Sequence, residues 1–437
     1  MQSSAVRLAA LLVAVTGFSQ VVSAADWPQW GGPRRDLVWR ETGIVKTLPR
    51  PDETGYLPRL WSTPIGAGYA GPAVADGRVY VMDFLRGRGR EGKERLLCLD
   101  AKTGKVLWKH EYDVRYTISY PAGPRCTPVI DAGRVYAVGA VGHFFCLDAK
   151  SGKVLWKKHF VKDYGTRLPI WGMVASPLVD GDQLIALVGG KDALVVSFNK
   201  KTGKELWKSL NDVRVGYCPP VIFEFGKTRQ LIVWHPSAVS SLNPKTGKPL
   251  WTVPFRVQYG LCIATPRQIG KRLFVSAFYD GPFMLQVSDD GNSAKVLWKG
   301  KSKSEIDTDG LHCLIPTPWM NATHIYGVGS YGQLRCLDAK TGKRVWETFK
   351  ATGRDRWWTA FLVPHEDRFF IHNEQGELII AKLSPKGYEE LSRAKLVAPT
   401  RRVRRRTTIW SHPAFAMQSV FARNDKEIVR VDLSAKE

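Results

Sequence analysis

The chain is short of acid. Forty Asp and Glu stand against 64 Lys and Arg in 437 residues, a net charge of +24 at pH 7. That balance favours anionic surfaces or polymers as neighbours and carries no information about fold. Long apolar runs are missing as well. Beyond residue 25 no segment reaches 18 consecutive apolar residues, so no transmembrane segment is expected there. No long stretch shows helical apolar periodicity. The seven cysteines include no adjacent pair and no C-x-x-C, and an odd number leaves at least one thiol unpaired or bonded to another chain. Catalytic signatures are lacking: there is no G-x-S-x-G elbow, H-E-x-x-H or Walker loop. Asp307-Thr308-Asp309-Gly310 is only a fragment of a calcium loop and reads as a plain turn. His312, His365, His372 and His412 are scattered singles, read as surface or satisfied core groups. No catalytic residue and no metal ligand is nominated.

What is present is a globular composition. Hydrophobic residues make up 44% and aromatics 11%, enough to bury a core and to exclude low-complexity disorder over most of the chain. Residues 1–25 read as a secretory signal peptide. Arg7 supplies the positive start, Leu8 to Phe18 an apolar stretch too short to span a bilayer, and Val22-Ser23-Ala24 the small residues of a cleavage site. The alternative is a retained N-terminal anchor. Cleavage implies a periplasmic or secreted protein, where nucleic acid is an unsuitable partner and disulfides are permitted. Cys98, Cys146 and Cys336 each precede Leu-Asp-Ala-Lys and so occupy one repeat position, where a buried small hydrophobe is expected. Cys126, Cys218, Cys262 and Cys313 share another position, near the start of a unit, where a bond between neighbouring units is left open.

A repeat of about 48 residues fills the chain. Leu-Asp-Ala-Lys-Thr-Gly-Lys-Val-Leu-Trp at Leu99 to Trp108 returns, with Ser for Thr, at Leu147 to Trp156. Other copies end at Trp207, Trp251, Trp298 and Trp346. A seventh copy has lost its tryptophan and leads from Leu383 to Leu391, and an eighth begins at Val431-Asp432-Leu433. Each unit reads as four short strands. In the second these are Thr127–Ile130, Arg134–Gly139, Phe144–Leu147 and Val154–Lys157, with turns at Asp131-Ala132-Gly133 and Lys150-Ser151-Gly152-Lys153. Asp-Gly at 76–77 and Thr-Gly at 103–104, 202–203, 246–247 and 341–342 are hairpin chemistry, because glycine accepts positive φ. Such units cannot bury both faces alone and stack as blades. The fold expected is all-β: an eight-bladed propeller of four-stranded antiparallel blades, over residues 61–437. Its eighth blade is to be completed by an N-terminal strand at Leu60-Trp61, which closes the ring and protects its edges. Residues 26–60 form an N-terminal extension. A solenoid of β units is the other architecture this period allows.

The Ala-Lys-Thr-Gly-Lys-x-x-Trp pattern at Ala101 to Trp108 resembles the PQQ repeat, the tryptophan-docking motif of quinoprotein alcohol dehydrogenases. The same repeat builds the propeller of the outer-membrane β-barrel assembly lipoprotein. The opening Asp26-Trp27-Pro28-Gln29-Trp30-Gly31-Gly32-Pro33-Arg34 is similar to exported PQQ-like propellers of planctomycete-type bacteria. The resemblance implies structural docking roles between blades for Trp61, Trp108, Trp156, Trp207, Trp251, Trp298 and Trp346. Its dehydrogenase branch implies PQQ with a calcium held by acidic and amide oxygens, an Asp base, a Trp platform and a vicinal disulfide. This chain has no adjacent cysteine pair and no calcium loop. No cofactor is therefore expected, and a PQQ-dependent alcohol or sugar dehydrogenase is the alternative.

The segments leading into each innermost strand carry aromatics and a few polar groups: Tyr69, Tyr120 with Arg125, Trp171, Tyr217, Tyr259, His312, Trp357 with Trp358, and Trp410 with His412. Repeat register brings them to one mouth of the central channel, where they suit a flat or anionic ligand or a peptide. The plain structural reading is packing between blades. Arg401-Arg402-Val403-Arg404-Arg405-Arg406 lies between the seventh and eighth units, either as a charged solvated edge or as a site for anionic envelope polymers or lipids. The sequence thus reads as an exported, non-catalytic, monomeric propeller. It binds an envelope protein or anionic envelope component at its funnel face, as a binding or assembly scaffold.

Overall fold

The computed structural model describes residues 25–435. The expected signal peptide lies, apart from Ala25, outside the described residues. Eight four-stranded antiparallel sheets follow one another as blades. In blade 1 the strands are Ala73–Ala75, Arg78–Arg86, Glu91–Asp100 and Val106–Arg115, from the channel outward. Blade 2 runs Val129–Asp131, Arg134–Val138, His143–Asp148 and Val154–His159. Its first strand thus starts two residues later than the sequence pattern predicts, directly after Pro128, which has no N–H to give to a ladder. The same strand order repeats through blade 7, which ends at Lys395. In blade 8 the strands Ala414–Ala416, Ser419–Arg423 and Glu427–Asp432 are completed by Arg59–Pro64, paired antiparallel with Glu427–Asp432. The ring is closed by an N-terminal strand, as the truncated eighth copy predicts.

The repeated motif builds the turn between the third and fourth strands. In blade 1 the Asp100 carboxylate accepts hydrogen bonds from the backbone N–H groups of Lys102 and Thr103 and from the Thr103 hydroxyl. Gly104 follows at φ 72°, a conformation open to glycine at no steric cost. The Trp61 ring of the preceding blade lies on that glycine, so near that an added Cβ would sit 2.7 Å from it. Its indole N–H donates to Ala101 O at 2.9 Å. Trp108, Trp156, Trp298 and Trp346 donate in the same way to a carbonyl of the following blade. Trp207 and Trp251 depart from the pattern. Their N–H groups turn back to Gln183 and Gln230 of their own blades, since a glutamine side chain there offers a nearer acceptor. The Trp207 ring still covers Gly247 of the next blade. A register shift marks the outer strand pair in every blade, for example at Cys98/Leu99 and Cys146/Leu147. This is a bulge that twists the exposed edge. Cys98, Cys146 and Cys336 pair in register with Trp108, Trp156 and Trp346. All seven cysteines are buried and free, so no bond forms between neighbouring units at the second cysteine position.

Residues 26–45 do more than extend the ring. Trp27 pairs with Val74 of blade 1, and Pro28 O accepts from Ile130 N of blade 2 at 2.9 Å. Trp30 crosses to donate to Thr265, before blade 5. The buried Arg35 guanidinium reaches Ser176 O and Pro177 O before blade 3 and Pro220 O before blade 4. Trp39 N donates to Pro364 O of blade 7. The segment is a plug through the channel axis, and Trp27 and Trp39 are buried in the core shared with blades 7 and 8.

Candidate functional site

Strand direction puts every crossover, from the outermost strand of one blade to the innermost of the next, at the same end of the ring. The Thr-Gly turns lie at the other. The crossovers surround a cavity of about 470 Å³, the size of a small-molecule site. Nine of the eleven residues expected at the mouth line it: Tyr69, Tyr120, Arg125, Trp171, Tyr217, Tyr259, Trp357, Trp410 and His412.

His312 and Trp358 do not reach the cavity and correct the expectation. His312 is fully buried behind the wall, with Nδ1 bonded to Phe278 O at 3.0 Å and the ring over Gly281. Trp358 packs between Gly332 and Gly353, with Arg406 over its ring at 6.0 Å. Trp357 sits in a turn at positive φ and faces the cavity, while Trp358 turns away onto Gly332 and Gly353.

The wall is aromatic. Tyr120 meets Trp357 and Trp410 at ring-centroid distances of 6.2 and 5.9 Å, and Trp171 meets Tyr217 at 5.6 Å. Tyr120, Tyr259 and Trp357 all sit at positive φ, 53°, 54° and 67°. Such backbone costs free energy unless the surroundings hold it, and it clusters at functional sites. Some of its polar groups bond within the wall. Thr127 Oγ1 meets His412 Nε2 at 2.7 Å, Ser176 donates to Thr127 O, and Trp410 Nε1 donates to Glu374. Burial pushes the His412 imidazolium down to about 4, so the ring is neutral. Trp30 of the plug, edge-on to His412 at 4.4 Å, lies against this wall and closes the cavity on the plug side.

Two cations stand in the lining. Arg125 lies over the Tyr69 ring at 4.8 Å, with Arg401 over the same ring at 4.3 Å. Its guanidinium donates to the backbone carbonyls of Ser119, Tyr120 and Gly123 and has no carboxylate within salt-bridge distance among the described residues. Burial lowers its pKa. Arg356 is paired, with Glu305 at 2.6 Å, and covers the Trp357 ring at 4.8 Å. Among the described residues no carboxylate or carboxamide side chain lines the cavity. A calcium ion takes six to eight oxygen ligands, so this donor set does not fit the calcium-bound quinone implied by the resemblance.

The basic run forms a hairpin, Arg401–Val403 with Arg406–Thr408, on the crossover between blades 7 and 8. Its two ends are fixed: Arg401 pairs with Asp425, and Arg406 with Asp355 and Glu374. Arg402, Arg404 and Arg405 at its tip are exposed. Sequence reasoning missed Trp30, Tyr279 and Arg356 in the lining. Arg356 could have been found, since it directly precedes Trp357. Trp30 could not, because nothing in the repeat says that the extension enters the channel.

The solved structures most informative for comparison share the fold at low identity. The quinohemoprotein alcohol dehydrogenase from Comamonas testosteroni aligns with a TM-score of 0.61 at 15% identity, over 94% of this chain and 81% of that one. A quinohemoprotein alcohol dehydrogenase from Pseudomonas putida HK5 gives 0.58 at 13%, over 94% and 81%. A europium-containing methanol dehydrogenase gives 0.51 at 14%, over 93% and 89%. No curated protein sequence matches the chain at a significant level. The family model described as outer membrane protein assembly factor BamB matches residues 37–209, 92–348 and 235–437. Those overlapping matches run from the plug to the closing blade, and the chain belongs to that family of PQQ-type repeat propellers.

Proposed function

We propose that this chain is an exported binding propeller that captures another envelope molecule at its funnel mouth, as a scaffold and not as a catalyst. One observation carries the reading: a cavity walled by eleven Tyr, Trp and Phe side chains and two arginines, without a carboxylate. Tyr, Trp and Arg are the residues that dominate binding hot spots. The one hydroxyl–imidazole contact of the lining, Thr127 Oγ1 with His412 Nε2 at 2.7 Å, is buried in the wall, and His412 Nδ1 is held by Pro413 O. Membership of an assembly-factor family supports a protein partner.

The test is a photo-crosslinking amino acid placed at Tyr259, which is 55% exposed at the mouth. The control position is Leu155, 43% exposed on the outer edge of blade 2. Crosslinking in the native envelope should give a discrete adduct from the first site only. Matching patterns from both sites would refute capture at the mouth. Stoichiometric binding of PQQ with calcium, together with dye reduction by alcohols or sugars, would replace this reading by the oxidoreductase one.

A further inference from the structure

The crossovers that carry the aromatic wall also carry exposed arginines. Arg167, Arg214, Arg256 and Arg354 stand on four of them, and the hairpin tip adds Arg402, Arg404 and Arg405. None of the seven has a carboxylate within 4.0 Å among the described residues, whereas some arginines elsewhere do, Arg229 with Asp180 and Arg344 with Glu347 among them. On this face Asp212 is committed to His235, Glu305 to Arg356, Asp355 to Arg406 and Asp425, on a turn of blade 8, to Arg401, while Asp163 on the crossover of Arg167 pairs with no cation among the described residues. The opposite face is also cationic, but its Thr-Gly and Ser-Gly turns present lysines such as Lys105, Lys153 and Lys204. The two cations differ in use. Guanidinium forks grip a carboxylate through two parallel hydrogen bonds, whereas a lysine acts as a point charge. The rim has gaps at three crossovers: blades 8 to 1 has no arginine, blades 1 to 2 has only the cavity residue Arg125, and blades 5 to 6 carries Asp307 and Asp309 and no arginine.

We infer that the mouth selects an acidic peptide segment with an aromatic anchor: the anchor enters the cavity, and flanking Asp and Glu side chains meet the arginine rim. This rests on the reading of the mouth as a capture site. Trp30 closes the plug side, so a chain cannot be threaded through and must enter by a side chain. Charge complementarity with the rim then fixes the sign of the flanks.

The experiment uses the full chain and three fluorescein-labelled peptides of equal length. One has a central Trp with Asp and Glu flanks, the second the same Trp with Ser and Gln flanks, and the third acidic flanks with Ser in place of Trp. Anisotropy should rank the first well above the others. Arg402→Gln/Arg404→Gln/Arg405→Gln should weaken it by about tenfold at low salt, and the loss should shrink as added salt screens the rim. The opposite-face variant Lys105→Gln/Lys153→Gln/Lys204→Gln should stay within about twofold of wild type. Both variants must melt as wild type does. Equal weakening by the lysine variant, or no binding of the first peptide, overturns the inference. Equal binding of the neutral-flank peptide also overturns it while leaving mouth capture intact. Indifference to the central Trp would instead sink mouth capture itself.

Discussion

Ring closure depends on a strand whose partner is more than 360 residues away in sequence, and Trp61 is the main anchor of that strand. Trp61 is 8% exposed, lies on Gly104 and donates to Ala101 O at 2.9 Å. Burying a tryptophan removes about 200 Å² of side-chain surface, worth about 5 kcal/mol at about 25 cal/mol per Å². Alanine keeps part of that burial, while the lost hydrogen bond adds about 1 kcal/mol. Trp61→Ala should therefore cost about 4 kcal/mol, inside the range of about 3–5 for such truncations. The strand would still be held by Arg59 on Glu427 at 2.9 Å and Thr63 on Gly104 O at 2.6 Å. Loosening should thus be local before it is global. Denaturant unfolding followed by fluorescence gives the loss of stability. Hydrogen exchange should show protection lost first along Arg59–Pro64 and Glu427–Asp432. Trp108→Ala removes the same chemistry within a continuous stretch of chain, and its exchange pattern should leave blade 8 protected. A cost below about 1.5 kcal/mol, or exchange that rises evenly around the ring, would refute the anchoring argument.

Buried histidines should make the propeller acid-sensitive. His372 and His412 are both buried, and burial holds each imidazolium at about 4, below its ordinary value of about 6.5. The unfolded chain then binds more protons, so stability is full above the unfolded value and falls as pH drops from there towards about 4. Each histidine should lose about 2 kcal/mol by about pH 5, and a denaturation midpoint that stays flat over that interval would contradict it. Two glycines with the same φ of 73° separate backbone strain from packing. An added Cβ at Gly152 meets the Trp108 ring at 2.6 Å, whereas at Gly133 it meets nothing within 4 Å. Gly133→Ala should cost about 1 kcal/mol from strain alone and Gly152→Ala distinctly more; equal melting temperatures would show that the tryptophan does not dock on the turn.

The cavity was only partly legible. Repeat register placed Tyr69, Tyr120, Trp171, Tyr217, Tyr259, Trp357 and Trp410 at one end, because equivalent positions in stacked blades must lie at equivalent heights. Register does not say which neighbour of a pair faces inward, so Trp358 was expected beside Trp357. Nor does it say how deep a residue sits, so His312, which occupies a mouth position in its repeat, is in fact behind the wall.

The sequence alone determined the number of blades, their strand order and their closure. A period of about 48 residues with glycine at each turn and an aromatic four residues on is local chemistry repeated, and stacking is the way such units bury their faces. Only the tertiary structure decided what occupies the channel. Residues 26–45 have no counterpart in the repeat, and their contacts reach blades far apart in sequence, from Val74 to Pro364. The plug turns an open channel into a blind cavity. The pairing of some arginines and the freedom of others likewise depend on which carboxylates the fold brings within reach.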